Sequence, residues 1–312
     1  MIPPLGHLIW FGERLPWVHA LAVRSAARRG GFERVVLHHA DALEPGPGTD
    51  ALRGDARVEL RRIDPSAVFA PLGLLAGPLG TIYGQLAAPA AKANVLRAAL
   101  LAVEGGVYLD TDTVTVRRFD DLRRAGAFCG AEHLALPFGV RRSRNPLVWT
   151  LAGLKLLVRD LLRRVPGGYR AFRRLAHWYP AAPNNAVLGA EPGHPFVVEL
   201  LCRMVETPPS RRRVRFALGT HLLGETVQTD RDPSVVVHPP PTFYPLPPEI
   251  SEHWFRVGRR PPLCEVLPVE TVTVHWYASV RTARLVPRID PAYVRAHADR
   301  QLFSALALPF AA

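Results

Sequence analysis

The chain has 312 residues, 48% of them apolar, and a formal net charge of +12. Such apolar content excludes a disordered chain and supplies the core of one large α/β domain with an appendage. Lys92 and Lys155 are the only lysines, so arginine carries the charge; compositional bias, an anionic ligand and an anionic membrane face each account for it.

In chain order, Gly6 to Gly12 reads as a first strand ending in a glycine turn. Ligands of α/β sheets sit beyond the carboxyl ends of strands, which places Trp10 and Phe11 to meet one. His7 falls inside the strand and reads as a hydrogen-bonded core histidine. Trp17 to Arg29 is predicted as an amphipathic helix and Arg34 to His39 as a second strand. Neighbouring strand residues face opposite sides, so His38 and His39 read as structural, not as two ligands of one ion. A third strand is expected near Val58 to Ile63. Pro65 to Ala91 then runs for 27 residues without a charge. Its prolines and glycines argue against a spanning helix and predict a flexible segment rimming a site.

Ala88 to Val103 is predicted as a helix with Lys92, Asn94 and Arg97 at spacings that share one face. Gly105-Gly106 breaks it, and Val107-Tyr108-Leu109 reads as a buried strand ending in Asp110-Thr111-Asp112. Two carboxylates one residue apart at a strand end reach one point if the chain turns there, which suits a hard divalent cation that keeps positions open for phosphate oxygens. Val114 to Val116 and Ala127 to Ala131 are expected to continue the sheet. Asn145 to Arg164 has the apolar periodicity of an amphipathic helix, with Lys155, Arg159, Arg163 and Arg164 on its other side. With Arg170, Arg173, Arg174, Phe172, Trp178 and Tyr179 it makes a basic, aromatic module ending at Pro180. Two readings stand for it: a helical pair covering the sheet, or a surface that meets membrane or a lipid-linked acceptor. A helix is expected over Phe196 to Val205, strands at Val235 to His238 and Thr271 to Ser279, and a C-terminal helix within Arg281 to Ala312. The cysteines, Cys129, Cys202 and Cys264, are odd in number and far apart, suggesting neither a disulfide framework nor a zinc site. The opening residues MIPPLGHLIWFGERLP lack a secretory pattern, so a cytoplasmic location is expected, at most peripheral at the inner face of the cell membrane.

The run Ala93-Asn94-Val95-Leu96-Arg97 followed by Gly105-Gly106-Val107-Tyr108-Leu109-Asp110-Thr111-Asp112 resembles the DXD-containing sugar transferases of the GT-A fold. Those include bacterial capsular and polysaccharide glycosyltransferases, fungal chain-initiating mannosyltransferases and glucosylating toxins. The family pattern is Ser-Asp-x-x-Arg, a helix, then Gly-Gly-x-Tyr-x-Asp-x-Asp; here Ala93 and Asn94 stand in place of its Ser and Asp. The resemblance extends to Asn184 through Pro195, to the Phe243-Tyr244-Pro245 segment and to His275 through Ser279. It implies a GT-A-type mixed sheet flanked by helices. The expected divisions are a nucleotide-sugar-binding half over 1–140, a helical insertion over 141–180, an acceptor-side half over 181–280 and a helical tail over 281–312. It further implies that Asp110, Asp112 and His275 hold Mn²⁺ or Mg²⁺, that Arg97 pairs with phosphate or bonds the ribose and sugar edge, and that Trp10 stacks on the base. Asn94 and Asn185 would hydrogen-bond the donor. The expected activity is transfer of a sugar, with retention, from a nucleotide-diphosphate sugar to a saccharide, lipid-linked or small-molecule acceptor. A catalytically inactive binding protein on the same fold and a basic nucleic-acid-binding protein are the alternatives; the intact DXD and Arg97 speak against the first, and the second has only the arginine count.

Overall fold

In the computed structural model, which describes residues 1–136, 140, 143–230, 232–280 and 282–311, nine strands are present among the described residues. They are β1 (Leu5–Trp10), β2 (Arg34–His39), β3 (Val58–Arg62), β4 (Gly106–Leu109), β5 (Thr113–Thr115), β6 (Ala127–His133), β7 (Ala181–Ala190), β8 (Val235–His238) and β9 (Thr273–His275). Seven form one mixed sheet in the order β3-β2-β1-β4-β7-β6-β8. β1 runs parallel to β2 and β4, β2 to β3, and β6 to β8, whereas β7 is antiparallel to β4 and β6. The interior residues of β1 and all of β4 are buried, as expected of strands covered on both faces.

The helices that cover the sheet come from the predicted runs. Trp17–Arg29 forms as expected but is buried from Trp17 through Ala27, so it is a core helix rather than an amphipathic one. It packs with Leu8, Leu37, Phe119, Phe128 and Phe243. Pro89–Glu104 lies with Ile9, Tyr108 and the Pro195–Glu206 helix in a second cluster. A third cluster gathers Trp254, Trp276, Phe303 and the C-terminal helices Pro291–His297 and Leu302–Ala307. Each fully buried aliphatic side chain in these layers contributes about 1.5–3 kcal/mol relative to exposure. Gly105 and Gly106 join helix to β4 with φ of 66° and 99°. A Cβ at Gly106 would lie 2.5 Å from the Leu5 carbonyl oxygen, so the pair lets β4 close against β1 where a larger residue would block it.

Several expectations change on meeting the structure. Thr113–Thr115 leaves the main sheet and pairs antiparallel with β9 in a separate two-stranded ribbon. The chain therefore turns at Asp110-Thr111-Asp112, between the two sheets. Pro65–Gln85 is helical instead of a flexible loop, and only 17% of its most apolar window is buried. By length and composition it is long and apolar enough to cross a membrane, yet the backbone at Gly73 (φ 59°, ψ −119°) breaks the helix. The C-terminal region holds two short helices in place of one, and Arg281 and Ala312, the bounds of the expected segment, lie outside the described residues. So does Arg141, the first residue of the expected insertion.

The largest difference concerns Pro146–Leu162. The helix forms, with the Asn145 side chain capping it by accepting from the Leu147 N–H at 2.9 Å. Ala152, Leu156 and Leu162 pack toward the core, but Leu147, Leu151, Leu154, Leu157 and Leu161 are exposed, while Arg159 and Arg163 turn inward. Arg159 pairs with Glu249 at 2.9 Å and Arg163 with Glu252 at 2.7 Å, and both also meet Asp160. Buried or half-buried cations need such partners, and acids from a distant segment supply them.

Candidate active site

β4 delivers its last side chains to the junction between the two sheets. The Asp110 N–H donates to the Ala186 carbonyl at 2.8 Å, which extends the β4–β7 ladder by one bond before the chain turns. The Thr113 hydroxyl donates back to the Asp110 carbonyl at 2.8 Å and closes that turn. The Trp276 N–H donates to the Asp112 carbonyl at 3.0 Å, so the strand ends of β4 and β9 are tied across the bend.

The two carboxylates sit in different surroundings. Asp110 accepts from the Tyr108 hydroxyl at 2.8 Å and pairs with Arg97 at 3.1 Å. Asp112 meets His275 Nε2 at 2.9 Å and accepts from the Ala278 N–H at 2.8 Å. One carboxylate oxygen from each aspartate and a ring nitrogen of His275 lie within 4.8 Å of one another. Burial raises the Asp110 carboxyl, with Arg97 pulling the other way and the Asp112 charge adding to the rise. Burial also acts upward on Asp112, but the His275 charge, its hydrogen bond and the Ala278 amide outweigh it and hold the carboxyl at about 2. His275 shows the mirror result: burial lowers it, and the Asp112 charge more than reverses that. The donor set of two partly exposed carboxylates and one buried imidazole fits a divalent metal ion.

Around this centre the structure brings most of the sequence-predicted residues together. Asn185 Nδ2 donates to Asn94 Oδ1 at 2.8 Å, joining the Pro89–Glu104 helix to β7 beside Asp110. Gly219 closes over this amide pair; a Cβ there would lie 2.8 Å from Asn94 Nδ2. Arg97 is only 5% exposed. Its guanidinium donates to the Ala93 and Asn185 carbonyls, pairs with Asp110 and lies 4.3 Å from the centre of the Tyr108 ring. With those partners it holds Asp110 and β7 in place and does not project into the opening. Trp10 ends β1, half-buried, with its ring 4.8 Å from His19, whose Nδ1 lies 3.0 Å from the Thr111 carbonyl. Phe11 packs instead against the cluster that holds Ile9 and Tyr83.

Residues that the sequence reading passed over support this set. Tyr108, two positions before Asp110, shares its strand face, and that spacing was a usable signal. Tyr277 stands 4.0 Å from the His275 ring and donates its hydroxyl to the buried Glu132 at 2.9 Å. It does so with φ of 60°, a conformation that no local sequence feature announces. His7 and His38 meet in the core at 3.0 Å, and burial pushes them to about 4 and about 2, so both are neutral structural groups.

The central strand β4 of an α/β sheet thus ends in Asp110-Thr111-Asp112, with His275 opposite on β9. Residues 78–128 match the family model described as glycosyltransferase sugar-binding region containing DXD motif. The chain is also 31% identical over 136 residues to Glucan organizing enzyme 1 of Cryptococcus neoformans var. grubii, a match covering 43% of this chain. The matched region spans about a third (32%) of the length of that curated relative. Among solved structures, it is similar to the PaToxG glycosyltransferase (TM-score 0.46, 16% identity, covering 72% of this chain and 69% of that one). It is similar also to mouse xyloside xylosyltransferase 1 in its apo form (TM-score 0.44, 11% identity, 86% and 96% covered). A third is the galactosyltransferase LgtC in complex with donor and acceptor sugar analogues (TM-score 0.37, 11% identity, 94% and 99% covered).

Proposed function

We propose that the chain is a metal-dependent glycosyltransferase that moves a sugar from a nucleotide-diphosphate sugar to a saccharide, lipid-linked or small-molecule acceptor. The observation that carries this reading is the convergence of Asp110 and Asp112, both inside the matched region, with His275 from β9 on one point. A Mn²⁺ or Mg²⁺ ion held there supplies Lewis-acid neutralisation of the charge that grows on the leaving diphosphate.

The chain's own residues divide the remaining work. Tyr108 and Arg97 fix the Asp110 carboxylate, while the Ala278 amide and His275 fix that of Asp112, so both ligands are preorganised before the donor arrives. Asn94 and Asn185 present an amide edge to the donor sugar or its phosphate. Trp10, half-buried beside His19, is assigned to stack on the base. Retention at the anomeric carbon is part of this reading on the family resemblance; the Glu132 carboxylate is buried and accepts from Tyr277, so the departing phosphate is assigned the incoming hydroxyl's proton.

The test is a panel of nucleotide sugars, each assayed for binding and for slow hydrolysis with and without Mn²⁺. At least one donor is expected to bind and turn over only with metal, and Asp112→Asn is expected to abolish both while leaving the circular dichroism unchanged. Metal-independent binding unaffected by Asp112→Asn would overturn the site, and a panel with no binder would overturn the reaction.

A further inference from the structure

The outward face of the Pro146–Leu162 helix is the feature that neither the core nor the active site explains. Leu147, Leu151, Leu154, Leu157 and Leu161 are 75%, 54%, 53%, 69% and 62% exposed, and they recur at helical spacing on one side. Five leucines left in water on one helix cost the fold apolar burial and gain it nothing internally. Trp149 stands at the start of the helix, 45% exposed, its indole N–H donating to the Ser143 carbonyl at 2.9 Å. Trp178, 48% exposed, follows in the same module.

The charges around this stripe that no ion pair takes up are basic. Residues 145–180 contain seven basic side chains and a single acid, Asp160, which is taken up by Arg159 and Arg163. Those two arginines, with Arg170 and Arg173, are bound to protein acceptors, the last two at Glu265 and Val266. Arg144, Lys155, Arg164 and Arg174 form no ion pair among the described residues, so they supply the free positive charge of the module. An apolar stripe with half-exposed tryptophans and unpaired cations is the surface that lies in the headgroup layer of an anionic bilayer, leucines among the acyl chains and cations at the phosphates. A second copy of the chain would bring the same cations and the same +12 charge against each other, whereas an anionic lipid face complements both.

We infer that the Pro146–Leu162 helix docks the protein flat on an anionic membrane surface through its exposed leucines. This contact is independent of the sugar-transfer reading, because none of its residues belongs to the site around Asp112. It adds a membrane face at which a lipid-linked acceptor would be met.

The experiment is co-sedimentation of the full chain with vesicles of phosphatidylcholine alone and of phosphatidylcholine mixed with phosphatidylglycerol, at low and high salt. Binding is expected to the mixed vesicles only, weakened by salt. Replacing Leu151, Leu154 and Leu157 with Gln, side chains already more than half in water, is expected to lower partitioning by about tenfold or more, with unchanged circular dichroism and melting. Arg164→Gln with Arg174→Gln is expected to reduce it by about fivefold per charge at low salt and to flatten the salt dependence. Sedimentation velocity without lipid separates the competing occupant: a dimer abolished by the Leu→Gln set, without vesicle binding by the parent, would overturn the inference. Vesicle binding that survives the Leu→Gln set would equally overturn it, moving the contact elsewhere, for instance to the Pro65–Gln85 segment.

Discussion

Arg97→Met separates two roles that one arginine beside a DXD motif can play. The family resemblance gives Arg97 to the donor, while the fold surrounds its guanidinium with the Ala93 carbonyl at 3.3 Å, the Asn185 carbonyl, Asp110 at 3.1 Å and the Tyr108 ring. Methionine keeps the stem's packing on Tyr108 and removes every one of the polar contacts. Breaking a buried ion pair by deleting one partner costs about 3–5 kcal/mol, because the other charge is left uncompensated. Asp110 retains the Tyr108 hydroxyl and some solvent, with its side chain 26% exposed, so the lower end, about 3 kcal/mol, is expected. Urea denaturation followed by circular dichroism measures it, and the cycle with Asp110→Asn isolates the pair: the double variant should fall short of the summed losses by about 1–2 kcal/mol. Metal-free nucleotide binding in Arg97→Met should change little. Destabilisation below about 1 kcal/mol, together with loss of metal-free nucleotide binding, would refute the reasoning and return Arg97 to the donor.

Two further predictions concern the same centre. Trp10→Ala should weaken nucleotide diphosphate binding by about 1–3 kcal/mol in calorimetric titration, the range for a base stacked on an aromatic ring, and undiminished affinity would assign Trp10 to its contact with His19 alone. His275 is raised because of the Asp112 charge, so its protonated form stabilises the fold below the ordinary histidine pKa of 6.5, and that contribution is lost as pH rises through the folded value. Coordination needs the neutral ring, so Mn²⁺ affinity should climb with pH over that interval with release of a proton; calorimetry in buffers of different ionisation heat reads the proton, and an identical release in His275→Gln would remove His275 from the ligand set.

The parts of this protein legible in the sequence are those specified by contiguous residues. Trp17–Arg29 and Arg34–His39 form over the predicted ranges, and the Gly105-Gly106 break places β4 and the two aspartates within a residue of the predicted positions. Gly-Gly before a buried strand has a backbone reason, positive φ at both positions, which is why the pattern is readable without a structure. What stayed hidden depends on pairing across the chain. Thr113–Thr115 looks like sheet continuation until β9, about 160 residues later, takes it into a ribbon and makes Asp112 face His275. The imidazole itself was found through a family match; that its Nε2 would be met by the carboxylate depended on the ribbon register, in which Thr113 lies opposite His275.

The Pro146–Leu162 helix shows the same limit with a different consequence. Periodicity separates a helix into an apolar side and a polar side, and the default assigns the apolar side to the core. That default is a statement about the net free energy of both faces, not about leucine alone. Leaving Arg159 in water would have been cheap for it, but it would have left Glu249, a side chain 10% exposed, without that cation. Glu249 also accepts from the Ala135 N–H at 2.8 Å, so its carboxylate is committed to the interior and must be neutralised there. The helix therefore turns Arg159 and Arg163 inward beside Leu156 and Leu162 to meet acids of the segment around Glu249, while Leu147, Leu151, Leu154, Leu157 and Leu161 face outward. Periodicity alone is blind to this, because the deciding charges lie about 90 residues away and only the fold brings them under the helix.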